Sequence, residues 1–359
     1  MSVRRIIEAF ETWREAGEPL VLVTVYDTVG STYSKAGHRI LIAGNGDFQG
    51  LVSGGCLEGD LAERARGVLE GGTPTAVTYD MRDDADDLWG LGVGCNGLIR
   101  VFMQPLDPAG GYEPFASIAR QSVGADRAVV ATVVASQREQ IAAGATLIFE
   151  PRGQNQAFGL ERLGGDDALR AALLQGCRRV LDTGRAALAA GEAGADVLYA
   201  PLDPVPRVLV LGAGLDAIPV VGMAADLGWF VTVADHRPAY IGRGGFERAE
   251  AALTVDPRAL ARHVDLERFD AVVVMSHHLV TDQTYLSQLT GIRARYLGVL
   301  GPPARRARLL QALGEKGEAL RPRLRGPVGL DIGADSPESI ALSIVAELHA
   351  HFSAASRER

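Results

Sequence analysis

Two cysteines set among glycines are the first residues of the chain that suggest chemistry. Cys56 lies in Ser53-Gly54-Gly55-Cys56-Leu57-Glu58, and Cys95 in Gly92-Val93-Gly94-Cys95-Asn96-Gly97. Small neighbours let a ligand or another backbone come close. The residues after Cys56 open a helix, and the field at a helix N-terminus enriches the reactive thiolate. A free cysteine in a tight turn is also commonly a small packed residue. Each therefore keeps two readings, a direct role for the thiol or simple packing. Cys177 falls in an amphipathic helix and reads as core. None of the three cysteines forms a CxxC pair, so neither a zinc site nor a disulfide framework is expected.

A second set of residues points to anion binding. The apolar run ending in Leu211 enters Gly212-Ala213-Gly214-Leu215-Asp216-Ala217. In such a turn the first glycine allows a tight strand-to-helix bend. The second lets a pyrophosphate approach the helix N-terminus, where free N–H groups and the dipole favour an anion. Asp235 follows about 20 residues on, the distance at which an acid bonds a ribose hydroxyl. Arg237, two residues later, suits a phosphate instead, so NAD and NADP both remain open. Ser276-His277-His278 ends the next apolar strand, where open sheets place their ligands. His277 or His278 would donate to a phosphate or move a proton, or else cap a helix starting near Asp282. Arg305 or Arg306 in Gly301-Pro302-Pro303-Ala304-Arg305-Arg306 is a phosphate partner or a solvated charge. The acidic run Asp80, Asp83, Asp84, Asp86 and Asp87 reads chiefly as a solvated loop, with a cation or partner as the other choice.

These residues need elements to hold them. The first twenty residues form an amphipathic helix with Ile6, Ile7, Phe10 and Trp13 on one face, and Leu20–Tyr26 is a buried strand. Arg39–Ala43 and the Asn45–Asp47 turn suggest a hairpin. A helix is expected over Leu57–Leu69, strands over Leu98–Met103, Ala128–Ala135 and Thr146–Glu150, and a helix over Asp166–Gly184. Pro201, Pro204 and Pro206 mark a linker. From Val208 strands and helices alternate, which implies a parallel sheet with crossover helices. The last helix starts with Ser336 as N-cap and Pro337 at its first position. The fold class expected is α/β, with a Rossmann-type domain over 204–359 following an α+β domain over 1–203.

Composition narrows the partners. At 359 residues the chain exceeds the size at which one core stops growing. A net charge of −8 argues against a general nucleic-acid binder, which needs clustered Lys and Arg. No apolar run is long enough to span a membrane, and the N-terminal charges interrupt any signal-peptide core. A cytoplasmic protein is expected.

The order of motifs resembles a known family. GSTYSKAGHRILIAGNGDFQGLVSGGCLEGDL, WGLGVGCNG, LVLGAG with DHRP, YLGVLGPPARR and GPVGLDIGADSPESIALSIVAEL succeed one another as in the XdhC/CoxI family of accessory proteins for xanthine dehydrogenase and carbon monoxide dehydrogenase. The segment around 110–200 matches least. The resemblance implies an N-terminal XdhC-type domain, a C-terminal Rossmann domain and a homodimer. It implies a chaperone rather than a turnover enzyme: one that binds molybdenum cofactor (a phosphate-bearing pterin dithiolene), supports its sulfuration with a cysteine desulfurase, and delivers it to a molybdenum hydroxylase. The family's glycine-cysteine blocks fall on Gly54, Gly55 and Cys56 and on Gly94 and Cys95, and its Rossmann turn on Gly212 and Gly214. Arg305 stands where many relatives have Lys. Two other readings remain: an NAD(P)-dependent oxidoreductase using Asp235 with His277 or His278, and a docking scaffold whose glycine turn binds nothing.

Overall fold

A computed structural model describes residues 2–82, 97–160, 167–192 and 194–355. Contacts divide the chain into two units, Met1–Pro204 and Val205–Ser356. Among the described residues no helix is long and apolar enough to cross a membrane.

The first unit opens with helix α1 (Val3–Glu15), followed by strands β1 (Leu20–Gly30), β2 (Arg39–Ala43) and β3 (Phe48–Gln49). Helix α2 (Glu58–Gly71) leads to β4 (Thr75–Asp80) and β5 (Gly97–Leu106), and these five strands make an antiparallel sheet ordered β3-β2-β1-β5-β4. Alternation along β1 divides its side chains between two faces. Leu20 and Leu22 pack with Ile6 and Phe10 of α1, whereas Val21, Val23 and Val25 meet Leu61, Ala65 and Val68 of α2. The hairpin expected at Asn45–Asp47 forms, with Gly46 at φ 93°.

A second antiparallel sheet was not legible as such in the sequence. After α3 (Phe115–Ser122) come β6 (Ala128–Ser136), β7 (Thr146–Phe149), β8 (Gln156–Phe158), α4 (Asp167–Thr183), β9 (Ala187–Glu192) and β10 (Ala195–Leu202), with strand order β8-β7-β6-β10-β9. Pro201, expected in a linker, instead lies in β10 opposite Val129. Leu169, Leu173, Cys177 and Val180 of α4 cover the outer face, so Cys177 is core as expected. The inner face shares a core with the first sheet, joining Leu20 and Leu22 to Ala128, Val130 and Leu202.

The second unit is the parallel α/β sheet that the alternating pattern implies. Its elements run β11 (Arg207–Leu211), α5 (Ala217–Asp226), β12 (Phe230–Asp235), α6 (Pro238–Gly242), β13 (Ala251–Thr254), α7 (Leu260–His263), β14 (Ala271–Val274), α8 (Leu279–Leu286), β15 (Tyr296–Val299), α9 (Pro303–Leu313), α10 (Glu315–Leu320), β16 (Leu324–Arg325) and α11 (Pro337–Ala355). The order β13-β12-β11-β14-β15-β16 is the Rossmann arrangement, with the chain reversing direction of growth between β11 and β14. Both faces are buried: Val208 and Val210 join α5 and α11, whereas Leu209 and Leu211 join the α8–α10 side. Helix α11 starts as expected, with Ser336 Oγ accepting from the Ser339 N–H at 3.2 Å.

Candidate functional site

The strand order brings most of the expected site residues to one edge. Gly212 and Gly214 follow β11, Asp235 ends β12 with Arg237 just beyond it, His277 follows β14, and Arg305 lies in the first turn of α9 beyond β15. Since β12, β11, β14 and β15 are neighbours, these residues share the carboxyl edge at the switch point, where open α/β sheets hold ligands.

Gly212 is required by the backbone. Its φ is 127°, and a Cβ there would lie 2.5 Å from the Met275 carbonyl oxygen. The next residue ties the turn to β12, because the Ala213 N–H donates to Asp235 Oδ2 at 2.7 Å. Asp235, expected to bond a ribose hydroxyl, ties the turn to Arg237. It is fully buried, and the same carboxylate also accepts from the Arg237 N–H, Nε and Nη2 at 2.9, 2.9 and 2.7 Å. Those four bonds occupy the usual acceptor positions of a carboxylate. Burial alone would raise this carboxyl, but the bonds from Arg237 and Ala213 outweigh it and hold it below the ordinary aspartate range. Arg237 is thereby neutralised, and its guanidinium also stacks 3.6 Å above the Tyr240 ring.

Sequence reasoning missed the acids that organise the next two tips. Asp282, buried in α8, accepts from the Ser276 N–H at 3.2 Å and from the Ser276 hydroxyl, and receives Arg305 Nη2 at 2.6 Å. Helix α8 begins at Leu279 rather than near Asp282, with His278 at its N-cap position; His278 makes no side-chain bond to the helix backbone, and its Nδ1 pairs with the Thr281 hydroxyl at 3.0 Å. His277 instead reaches Asp216 at the head of α5, its Nε2–H donating to Oδ2 at 2.8 Å. Arg305 and Arg306 of α9 separate cleanly. Arg306 gives its donors to the carbonyls of Leu324 and Arg321, whereas the guanidinium of Arg305 makes only the Asp282 contact among the described residues. Beneath the edge, the Tyr285 hydroxyl is wholly buried without a hydrogen-bond partner among the described residues.

In the first unit the Cys56 loop is built around a buried carboxylate. Glu58 Oε1 accepts from the N–H groups of Val52 and Ser53 at 2.7 and 2.9 Å, and Oε2 from Ser53 Oγ and the Gly55 N–H at 2.7 and 2.9 Å. Ser53 Oγ in turn accepts from the Leu57 N–H at 2.7 Å. Burial pushes the Glu58 carboxyl up, and the hydrogen bonds from Ser53 and Val52 more than offset it, so it lies below the ordinary glutamate range. Wrapping five residues about one carboxylate needs left-handed backbone at Gly54 (φ 82°) and Gly55 (φ 121°). The result presents Cys56 as an exposed, free thiol one residue beyond a locked turn. Cys56 is therefore not the small packed residue that was its other reading. Gly94 and Cys95 lie outside the described residues, as do Asp83, Asp84, Asp86 and Asp87; Asp80 pairs with Arg82 at 2.6 Å.

A Rossmann sheet with a braced glycine turn, preceded in the chain by an α+β module carrying a glycine-framed thiol, defines a two-domain α/β protein. Residues 208–348 match the XdhC Rossmann domain, and residues 13–80 match the XdhC and CoxI family. The chain is 33% identical over 336 residues, 93% of either chain, to a protein of Bacillus subtilis named as a probable subunit of xanthine dehydrogenase. It is 22% identical over 335 residues to the molybdenum cofactor insertion chaperone PaoD of Escherichia coli, spanning 93% of this chain and 83% of that one. A crystal structure described as a xanthine dehydrogenase from Bacillus halodurans superposes with a TM-score of 0.77 at 28% identity, over 99% of this chain and 96% of that one. The chain belongs to the XdhC and CoxI family.

Proposed function

We propose that this chain is a maturation factor for a molybdenum hydroxylase. It takes molybdenum cofactor as cargo, supports its sulfuration, and passes it to the client enzyme. The observation that carries the reading is the exposed Cys56 thiol on a loop locked by Glu58, in a family whose relatives include a named cofactor insertion chaperone. A soft thiolate is the natural protein ligand for a metal–sulfur centre, and a turn fixed by four bonds to one carboxylate holds it in place.

Within the second unit, the groups at the sheet edge differ in what they offer an anion. Asp216 stands over Gly214 and Arg237 is neutralised by Asp235, so neither offers net positive charge. Arg305 is paired likewise with Asp282, but it commits only Nη2 to that bond, so its guanidinium keeps further N–H donors for a phosphate. We therefore propose Arg305 as the anion contact of the second unit and a structural role for Asp235. A cysteine desulfurase as sulfur donor, a homodimeric assembly and a cytoplasmic setting belong to the same reading.

The test mixes purified protein with molybdenum cofactor and measures retention of molybdenum and pterin through gel filtration. Retention by the parent, reduced by Cys56→Ala, Cys95→Ala or Arg305→Ala, is the expected result. No retention by the parent contradicts the binding role, and undiminished retention by all three variants contradicts the site.

A further inference from the structure

The two glycines of the Gly212–Gly214 turn serve different ends. Gly212 is demanded by its backbone conformation and by the Met275–Ser276 strand end beside it. Gly214 has no such demand, since its φ is not left-handed, and the space beside its bare Cα is taken up by side chains. A Cβ there would run into Asp216 Oδ1 and come within 3.6 Å of His277 Cδ2. In a pyrophosphate-binding turn that space is left bare for the ligand.

Asp216 opens α5, yet its side chain makes no capping bond to its own helix. It turns instead to His277, 2.8 Å away on the neighbouring strand tip, and its side chain is only 16% exposed. His277 reaches it from a left-handed backbone, φ 62°, a conformation uncommon for a residue with a Cβ. Two strand ends thus cooperate to fix a carboxylate over the second glycine.

We propose that Asp216, pinned by His277, is a specificity-determining residue that turns dinucleotides away from this Rossmann turn. A phosphate oxygen above Gly214 would meet a like charge at contact distance, and the favourable field of the α5 N-terminus already acts on the carboxylate. A neutral ligand edge bearing N–H donors meets no such penalty. The exclusion follows from the Asp216–His277 geometry alone and stands whether or not the chain carries molybdenum cofactor.

NADH fluorescence titration of the full chain tests it by gain of binding, which misfolding cannot mimic. Asp216→Ala and Asp216→Asn should each bind NADH about tenfold or more tighter than the parent, the scale of one close like-charge contact removed. ADP-ribose should displace the bound NADH. His277→Ala keeps the negative charge but releases its pin, so it should gain less affinity than either Asp216 variant. NADH binding by the parent as tight as by both Asp216 variants overturns the proposal. An equal gain in His277→Ala overturns the assignment to the carboxylate.

Discussion

Replacing Glu58 by glutamine keeps the shape of the side chain and changes which of its atoms accept. The carboxylate now serves four donors: three backbone N–H groups and the Ser53 hydroxyl. In Glu58→Gln one oxygen still accepts two of them, while the other two face an NH2 group that is itself a donor. Hydrogen bonds to a charged group contribute about 1.5–3 kcal/mol each, and an unmet buried donor costs about 1–3 kcal/mol. Ser53 and Gly55 are not fully enclosed, so water recovers part of this. A net loss of about 3 kcal/mol is expected, a large share of the ~5–15 kcal/mol that holds a typical fold together. Urea denaturation should show the midpoint falling by about 1 M or more. In a Cys95→Ala background, with Cys177 buried, thiol labelling reports on Cys56 and should speed up as its loop loosens. The pH dependence has a definite sign. A carboxyl held below its unfolded value contributes fully above about pH 4.3 and loses that contribution as pH falls through the folded value. The gap between parent and Glu58→Gln should therefore close on acidification. An unchanged midpoint with unchanged labelling, or a gap that widens in acid, would refute the reasoning.

Three further expectations concern the second unit. Gly212→Ala should lose about 3 kcal/mol or more in denaturation, from left-handed strain and a backbone collision, whereas Gly214→Ala meets no backbone and only strains the Asp216–His277 bond, so it should cost about 1 kcal/mol. Asp235→Asn unpairs Arg237 and turns a donor toward donors, so it should cost about 3 kcal/mol at neutral pH, with the difference shrinking as acid protonates the parent's carboxyl. Tyr285→Phe removes a buried hydroxyl without a partner among the described residues, and calorimetry should show it at least as stable as the parent, by up to about 1 kcal/mol.

Much of the architecture could be read from periodicity. The Val- and Leu-rich run into Gly212 and the alternating rhythm after it specify a parallel sheet with both faces covered, and Ser336-Pro337 marks the start of the last helix. The sheet of β6 to β10 was only partly visible. Gln156–Phe158 is three residues long, and Ala187–Glu192 is Ala-rich with no polar–apolar alternation. Strands that short or uniform acquire identity from their neighbours, not from their own pattern. Within the site, residue types and spacing located the edge but not the allocation of lone pairs. Asp235 has the position of a ribose acid, yet its neighbours Ala213 and Arg237 occupy its usual acceptor positions. Asp216, Asp282 and Glu58 were in plain view in their motifs. What each one does depends on donors that only the fold brings to it.

The central claim is that this chain carries molybdenum cofactor. Its most direct test is molybdenum and pterin analysis of the protein purified from cells that also express the cofactor pathway. The account predicts both in equal amounts in the parent and their loss in a Cys56→Ala, Arg305→Ala double variant that remains folded. Protein free of molybdenum and pterin under those conditions would contradict it.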